Sequence, residues 1–193
     1  MRLACVLALA AMTTLAQAGS IEAKTVTLNQ TEDGTTLSAE FNVDLGFRLE
    51  DAVSRGVPLY FTLEFELTRP RWWWSNEYVV SRTITYRLSY AALTRQYRLS
   101  TGNLHRNFSS LEEALRVLST IGNMSIADKG TLKIGEPYAA GIRMSLDRSQ
   151  LPKPFQVDAI GNRDWHVDSH VYRWTYVPSA VPVATSNNAE VRP

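Results

Sequence analysis

The stretch from Leu59 to Leu67 restricts this chain more than any other. Leu59, Phe61, Leu63, Phe65 and Leu67 alternate without a break with Tyr60, Thr62, Glu64 and Glu66. A period of two is the signature of a strand with one face buried and one face wet, and it is incompatible with a helix. Tyr78 to Tyr90 answers it, with Val80, Ile84, Tyr86, Leu88 and Tyr90 on one side and Ser81, Thr83, Thr85 and Arg87 on the other. If these two strands pair, opposed residue numbers must sum to an odd value. A slip of one residue would turn Glu64 and Glu66 into the core. Arg82 falls on the inward side of this pattern, so it needs either a sheet rim or a buried acidic partner.

The remainder reads the same way. Thr36 to Leu45 alternates, Ile21 to Asn29 is a weaker strand, and Glu32-Asp33-Gly34 between them is turn chemistry, which makes a hairpin of residues 21–45. Leu49 to Arg55 reads as a short helix stopped by Gly56. Ser110-Leu-Glu-Glu113 is a capping box that opens a helix expected to run through Ile121. Further short strands are expected at Gln96–Ser100, Met124–Ala127, Thr131–Ile134, Tyr138–Leu146, Gln156–Ile160 and Val171–Val177. Leu151-Pro-Lys-Pro-Phe155 reads as a stiff, extended connector. The expected fold is mainly β: an antiparallel β-sandwich, immunoglobulin-like arrangements included, with one short and one medium connecting helix and a barrel as the alternative.

The first eighteen residues read as an export signal. Met1-Arg2 precedes an apolar run from Leu3 to Leu15, and Ala16-Gln17-Ala18 has the small-x-small pattern of a cleavage site. The run is shorter than the ~20 residues needed to span a bilayer. Cys5, the single cysteine, leaves with it. The expected organisation is a cleaved leader (1–18), one periplasmic domain (19–178) and a disordered tail (179–193) rich in Pro, Ala, Ser and Asn. Twenty basic residues stand against nineteen acidic ones, which argues against nucleic-acid binding through overall charge.

Four stretches, Arg69-Pro-Arg-Trp-Trp-Trp74, Ser89–Ser100, Leu151–Val157 and Tyr172-Arg-Trp-Thr175, resemble the signature segments of an exported proteobacterial family, domain of unknown function 4390. The resemblance runs from about Ile21 to Pro178. It implies a periplasmic protein without assigned activity. Genes of that family often lie beside one for a nitrogen-regulation-type membrane sensor kinase, so the resemblance also points to a sensor histidine kinase as a partner.

Few residues suggest chemistry. There is no Gly-x-Ser-x-Gly elbow, no Gly-rich loop before a helix, and no cysteine outside the leader. Glu64 and Glu66 share a strand face, where cross-strand pairing to Arg or Lys is the simpler role. His166, Asp168 and His170, at i, i+2, i+4, share one face of an extended chain and form a candidate zinc or copper set, with a solvated edge as the plainer reading. His105 stands alone. No cofactor and no catalytic residue is expected. Arg and aromatic residues recur together, most densely at Arg69, Arg71, Trp72, Trp73 and Trp74. Three consecutive Trp cannot all sit on one sheet face: either a curled loop folds them over the end of the sandwich as core, or at least one is exposed beside Arg69 and Arg71, a composition enriched at binding hot spots and at membrane interfaces. The expectation is therefore a non-enzymatic accessory module that binds an envelope membrane protein through the Arg69–Trp74 loop. Peripheral lipid binding through the same loop, and metal binding at His166, Asp168 and His170, are the alternatives.

Overall fold

The computed structural model describes residues 18–70 and 77–179. Among them, nine strands form two antiparallel sheets. The chain runs β1 (Ala18–Gln30), β2 (Gly34–Leu45), α1 (Gly46–Ser54), β3 (Leu59–Arg69), β4 (Glu77–Ala91), β5 (Gln96–Thr101), β6 (Leu104–Phe108), α2 (Leu111–Leu118), β7 (Thr120–Asp128), β8 (Tyr138–Leu146), α3 (Lys153–Gly161) and β9 (Tyr172–Tyr176). The small sheet has the order β1-β2-β7; the large one has β6-β5-β4-β3-β8-β9. The two sheets share one core, into which β2 sends Leu37, Ala39, Phe41 and Leu45, β7 sends Ile121 and Ile126, and β3 its five inward residues. Burial of each large side chain of this kind stabilises by about 1.5–3 kcal/mol. The mainly β sandwich is as expected. Its six-plus-three division is not the four-plus-three split of a constant-type immunoglobulin domain.

Opposed residue numbers along β3 and β4 sum to odd values, as expected. Leu59 faces Leu88, Leu63 faces Ile84 and Leu67 faces Val80, all odd sums, until a bulge shifts the register at Thr68. Phe65 faces Arg82, and Arg82 is exposed rather than paired in the core. Three strands cannot cover the inward side of six, so that side of β4 is partly wet.

Several elements depart from expectation. The helix after Ser110 ends at Leu118, and Thr120 and Ile121 belong to β7. The cap of that helix is formed as expected: Ser110 Oγ accepts from the Glu113 N–H (3.2 Å), and the Glu113 carboxylate reaches back to the N–H groups of Ser109 (3.2 Å) and Ser110. Thr131–Ile134 is a turn between two glycines of positive φ, Gly130 and Gly135. Gln156–Ile160 is not a strand, and Leu151–Phe155 is not wholly extended. Lys153–Gly161 is helical, with Pro154 in its first turn, where its missing N–H costs nothing. The helices are therefore three among the described residues, with two further 3-10 turns at Arg148–Gln150 and Arg163–Trp165.

Candidate functional site

Arg69 is the last residue of β3 and stands opposite Glu77, the first of β4, so it closes the neck of the β3–β4 hairpin. Its guanidinium gathers three partners. Nη1 lies 3.3 Å from Glu77 Oε2, and Nη2 lies 3.1 Å from Glu136 Oε2 and 3.4 Å from the Tyr138 hydroxyl. Tyr138 is fully buried; its hydroxyl donates to Glu136 (2.9 Å) and accepts from the Lys133 N–H (3.1 Å). The Tyr138 hydrogen bond first, then the Glu136 and Glu77 carboxylates, raise the Arg69 pKa above its ordinary value. Arg69 is therefore a structural clamp that ties the hairpin to the Lys133–Tyr138 segment. The residues that the neck presents, Arg71, Trp72, Trp73 and Trp74, lie outside the described residues. Three apolar side chains at this same end of the sandwich are exposed: Tyr78 beside the neck, Ile134 in the turn below it, and Val177 next to Pro178, whose carbonyl accepts from Gly135 N–H.

The His166–His170 segment alternates as expected. His166, Asp168 and His170 are exposed, and Trp165, Val167 and Ser169 are buried. Val167 and Ser169 bond to β8, extending the sheet edge ahead of β9: Leu146 N–H donates to Val167 O and Ser169 N–H to Met144 O, both at 2.8 Å. A shared face is not a shared point. No group of three His, Cys, Asp or Glu side chains among the described residues is placed to hold a metal ion. His166 Nε2 instead accepts a hydrogen bond from the Arg148 guanidinium, which can only donate, and that fixed cation opposes a second cation there. His105 sits on β6, exposed.

Glu64 and Glu66 have different surroundings. Both Nε (3.0 Å) and Nη2 (2.7 Å) of Arg143 bond to Glu64 Oε2 across the sheet. Glu66 lies over Gly141, where a Cβ would stand 3.3 Å from its Cγ and Oε1. Glu64 takes the cross-strand Arg pairing expected of a strand-face carboxylate.

Strand alternation alone does not reveal a groove on the outer face of the large sheet. Between the outer face of the large sheet and α3 runs a groove of about 830 Å3, lined among others by Thr62, Thr85, Ser145, Asp147, Arg148 and Ile160. A second hollow of about 330 Å3 continues it, with Glu64 and Thr83 common to both. Hydrogen bonds from Gln150, then from Ser149, hold the Asp147 carboxyl below its ordinary pKa. The signal for the missing wall was present: Leu151, Phe155 and Ala159 are spaced at i, i+4, i+8, and they are the residues α3 and its lead-in turn inward.

No curated protein and no solved structure matches the chain. One family does, the one described as domain of unknown function (DUF4390), over residues 18–175. That span takes in both sheets, the Arg69 clamp and the groove, and the chain belongs to this family.

Proposed function

We propose that this is a non-enzymatic binding module that docks on an envelope membrane protein through the end of the sandwich carrying Arg69, Arg71, Trp72, Trp73 and Trp74. The observation that carries this reading is the clamp on the hairpin neck. Arg69 is held by Glu77, Glu136 and Tyr138, so the segment rich in Trp and Arg that follows it in sequence leaves from a fixed base. A fixed base lowers the entropy lost when a loop binds. Exposed Tyr78, Ile134 and Val177 at the same end enlarge the apolar surface on offer. Export through the Met1–Ala18 leader places the module in the periplasm, where a membrane sensor kinase is the first partner to test.

The test is photo-crosslinking in living cells from a reactive residue at position 73, with adducts identified by mass spectrometry. A dominant adduct to one membrane protein is expected. Adducts to lipid alone, or none, would overturn the reading.

A further inference from the structure

Near-neutral overall charge hides a segregated charge pattern. Residues 19–77 carry ten acidic and five basic side chains. Residues 78–111 carry five Arg and no Asp, Glu or Lys at all. The fold gathers that second stretch into β4, β5 and β6, which make up one half of the large sheet. Register sets the placement. Arg87 faces Ser100, which faces His105, and Ser89 faces Arg98, which faces Asn107. Arg87, Arg98 and His105 therefore share the outer side of this wing, Arg82 and Arg106 point to the other side, and Arg95 occupies the β4–β5 turn. All five Arg are exposed.

Among the described residues, none of these five has a carboxylate partner. Their contacts are neutral: Arg98 Nε donates to Asn107 Oδ1 at 3.0 Å, Arg87 lies 6.0 Å from the centre of the Tyr60 ring, and Arg106 lies 5.4 Å from that of Phe108. These contacts orient the guanidinium groups and leave their charge uncompensated. Two leucines are also in solvent: Leu93 in the β4–β5 turn, fully exposed, and Leu104 at the start of β6, largely exposed and on the side of Arg106.

We infer that the β4–β6 wing is a docking surface for an anionic phospholipid bilayer. Three features select lipid among anionic partners. A sheet is broad and open enough to meet a plane. Every cation is Arg, whose forked donors match phosphate oxygens. Exposed Leu93, beside Arg95 in the β4–β5 turn, has a use against acyl chains and none against a hydrated polyanion. The surface is separate from the Arg69–Glu77 neck, so lipid contact here and protein contact at the hairpin are independent. The inference shares with the proposed function only the export of the chain.

The test is flotation of the leader-free protein with vesicles of phosphatidylethanolamine containing phosphatidylglycerol, and with vesicles of phosphatidylcholine alone. Partition to the anionic vesicles only, reversed by high salt, is expected. Each juxtaposed basic residue contributes about fivefold in partition, so Arg87→Gln with Arg98→Gln weakens it by roughly thirtyfold. Leu93→Ser weakens it further. Trp73→Ala leaves it unchanged, which separates this surface from the hairpin tip. Lys24→Gln on β1 removes one charge elsewhere and also leaves it unchanged. Thermal melting of each variant confirms folding. Equal partition to phosphatidylcholine, no loss in the folded double Arg variant, or retention by soluble polyglutamate with none by vesicles would each overturn the inference. The last outcome would indicate an acidic protein partner instead.

Discussion

Trp165 pins the segment that walls the groove. It is 2% exposed, its ring centre lies 5.7 Å from that of Phe155 on α3, and its indole Nε1–H donates to Asp158 Oδ2 at 3.1 Å. Next to it, Asp164 approaches Arg48 of α1 (3.9 Å). Trp165→Ala removes the anchor and leaves a cavity, an effect worth about 3–5 kcal/mol for a buried aromatic. Trp165→Phe retains most of the packing and loses the hydrogen bond. Its acceptor Asp158 is exposed, so water recovers part of that loss and about 1–2 kcal/mol remains. For a domain of this size, 1 kcal/mol moves Tm by about 2–4 °C. Trp165→Ala should therefore lower Tm by about 6–20 °C, and Trp165→Phe by about 2–8 °C, read by circular dichroism. Asp158→Ala in the Trp165→Phe background should cost little, since the bond it would break is already gone. A Trp165→Ala protein that melts within 2 °C of the native chain would refute this account of α3. So would full additivity of Trp165→Phe and Asp158→Ala.

Gly34 opens β2 with φ +149°, and a Cβ there would collide with the Ala127 carbonyl oxygen of β7. The carbonyl is backbone and cannot swing aside as a side chain would, so Gly34→Ala must push β2 and β7 apart. About 2–5 kcal/mol of destabilisation should follow, with faster hydrogen exchange in β7; native-like exchange would contradict the geometry. The Asp147 carboxyl has a lower pKa folded than unfolded, held there by Gln150 and Ser149. Its contribution is present at neutral pH and is lost as pH falls below the unfolded value of about 3.9 and through the lower native one. Asp147→Ala should accordingly melt below the native chain at pH 7 and close the gap in acid. A gap that persists undiminished at pH 2 would show that the carboxylate charge is not its source.

The parts of the fold that were legible are those where one face is dry. Leu59–Leu67 and Tyr138–Leu146 alternate because each lies within a sheet with core on one side, and both strands fall where the pattern puts them. β6 was illegible because it is an edge: four of its five residues, Leu104 to Asn107, are exposed, so burial imposes no alternation. Gln156–Ile160 misled for a different reason. Val157 and Ala159 mimic a period of two over five residues, while the longer period from Leu151 through Phe155 to Ala159 decides the helix. At the candidate site, Arg69 was recognisable as unusual, but its role was not. Its partners Glu136 and Tyr138 come from a segment nearly seventy residues away, and no local pattern brings them to the hairpin neck. The basic wing was hidden by averaging, since only the register of β4, β5 and β6 turns scattered Arg into a surface.

Sheet order also sets a folding sequence. β3, β4, β5 and β6 are consecutive in the chain and adjacent in space, a meander whose contacts are all local and therefore cheap in loop entropy. β8, which pairs with the free side of β3, arrives only after α2 and β7 have been laid down, and β7 itself must return to β2. Non-local pairings of this kind form late and slowly. Until they do, β3 offers bare backbone donors and acceptors alongside a dense Leu and Phe stripe, the combination that recruits a second chain. A polypeptide emerging from its N-terminus passes through that interval each time it is made, and so has an exposure to self-association that the finished sandwich no longer has.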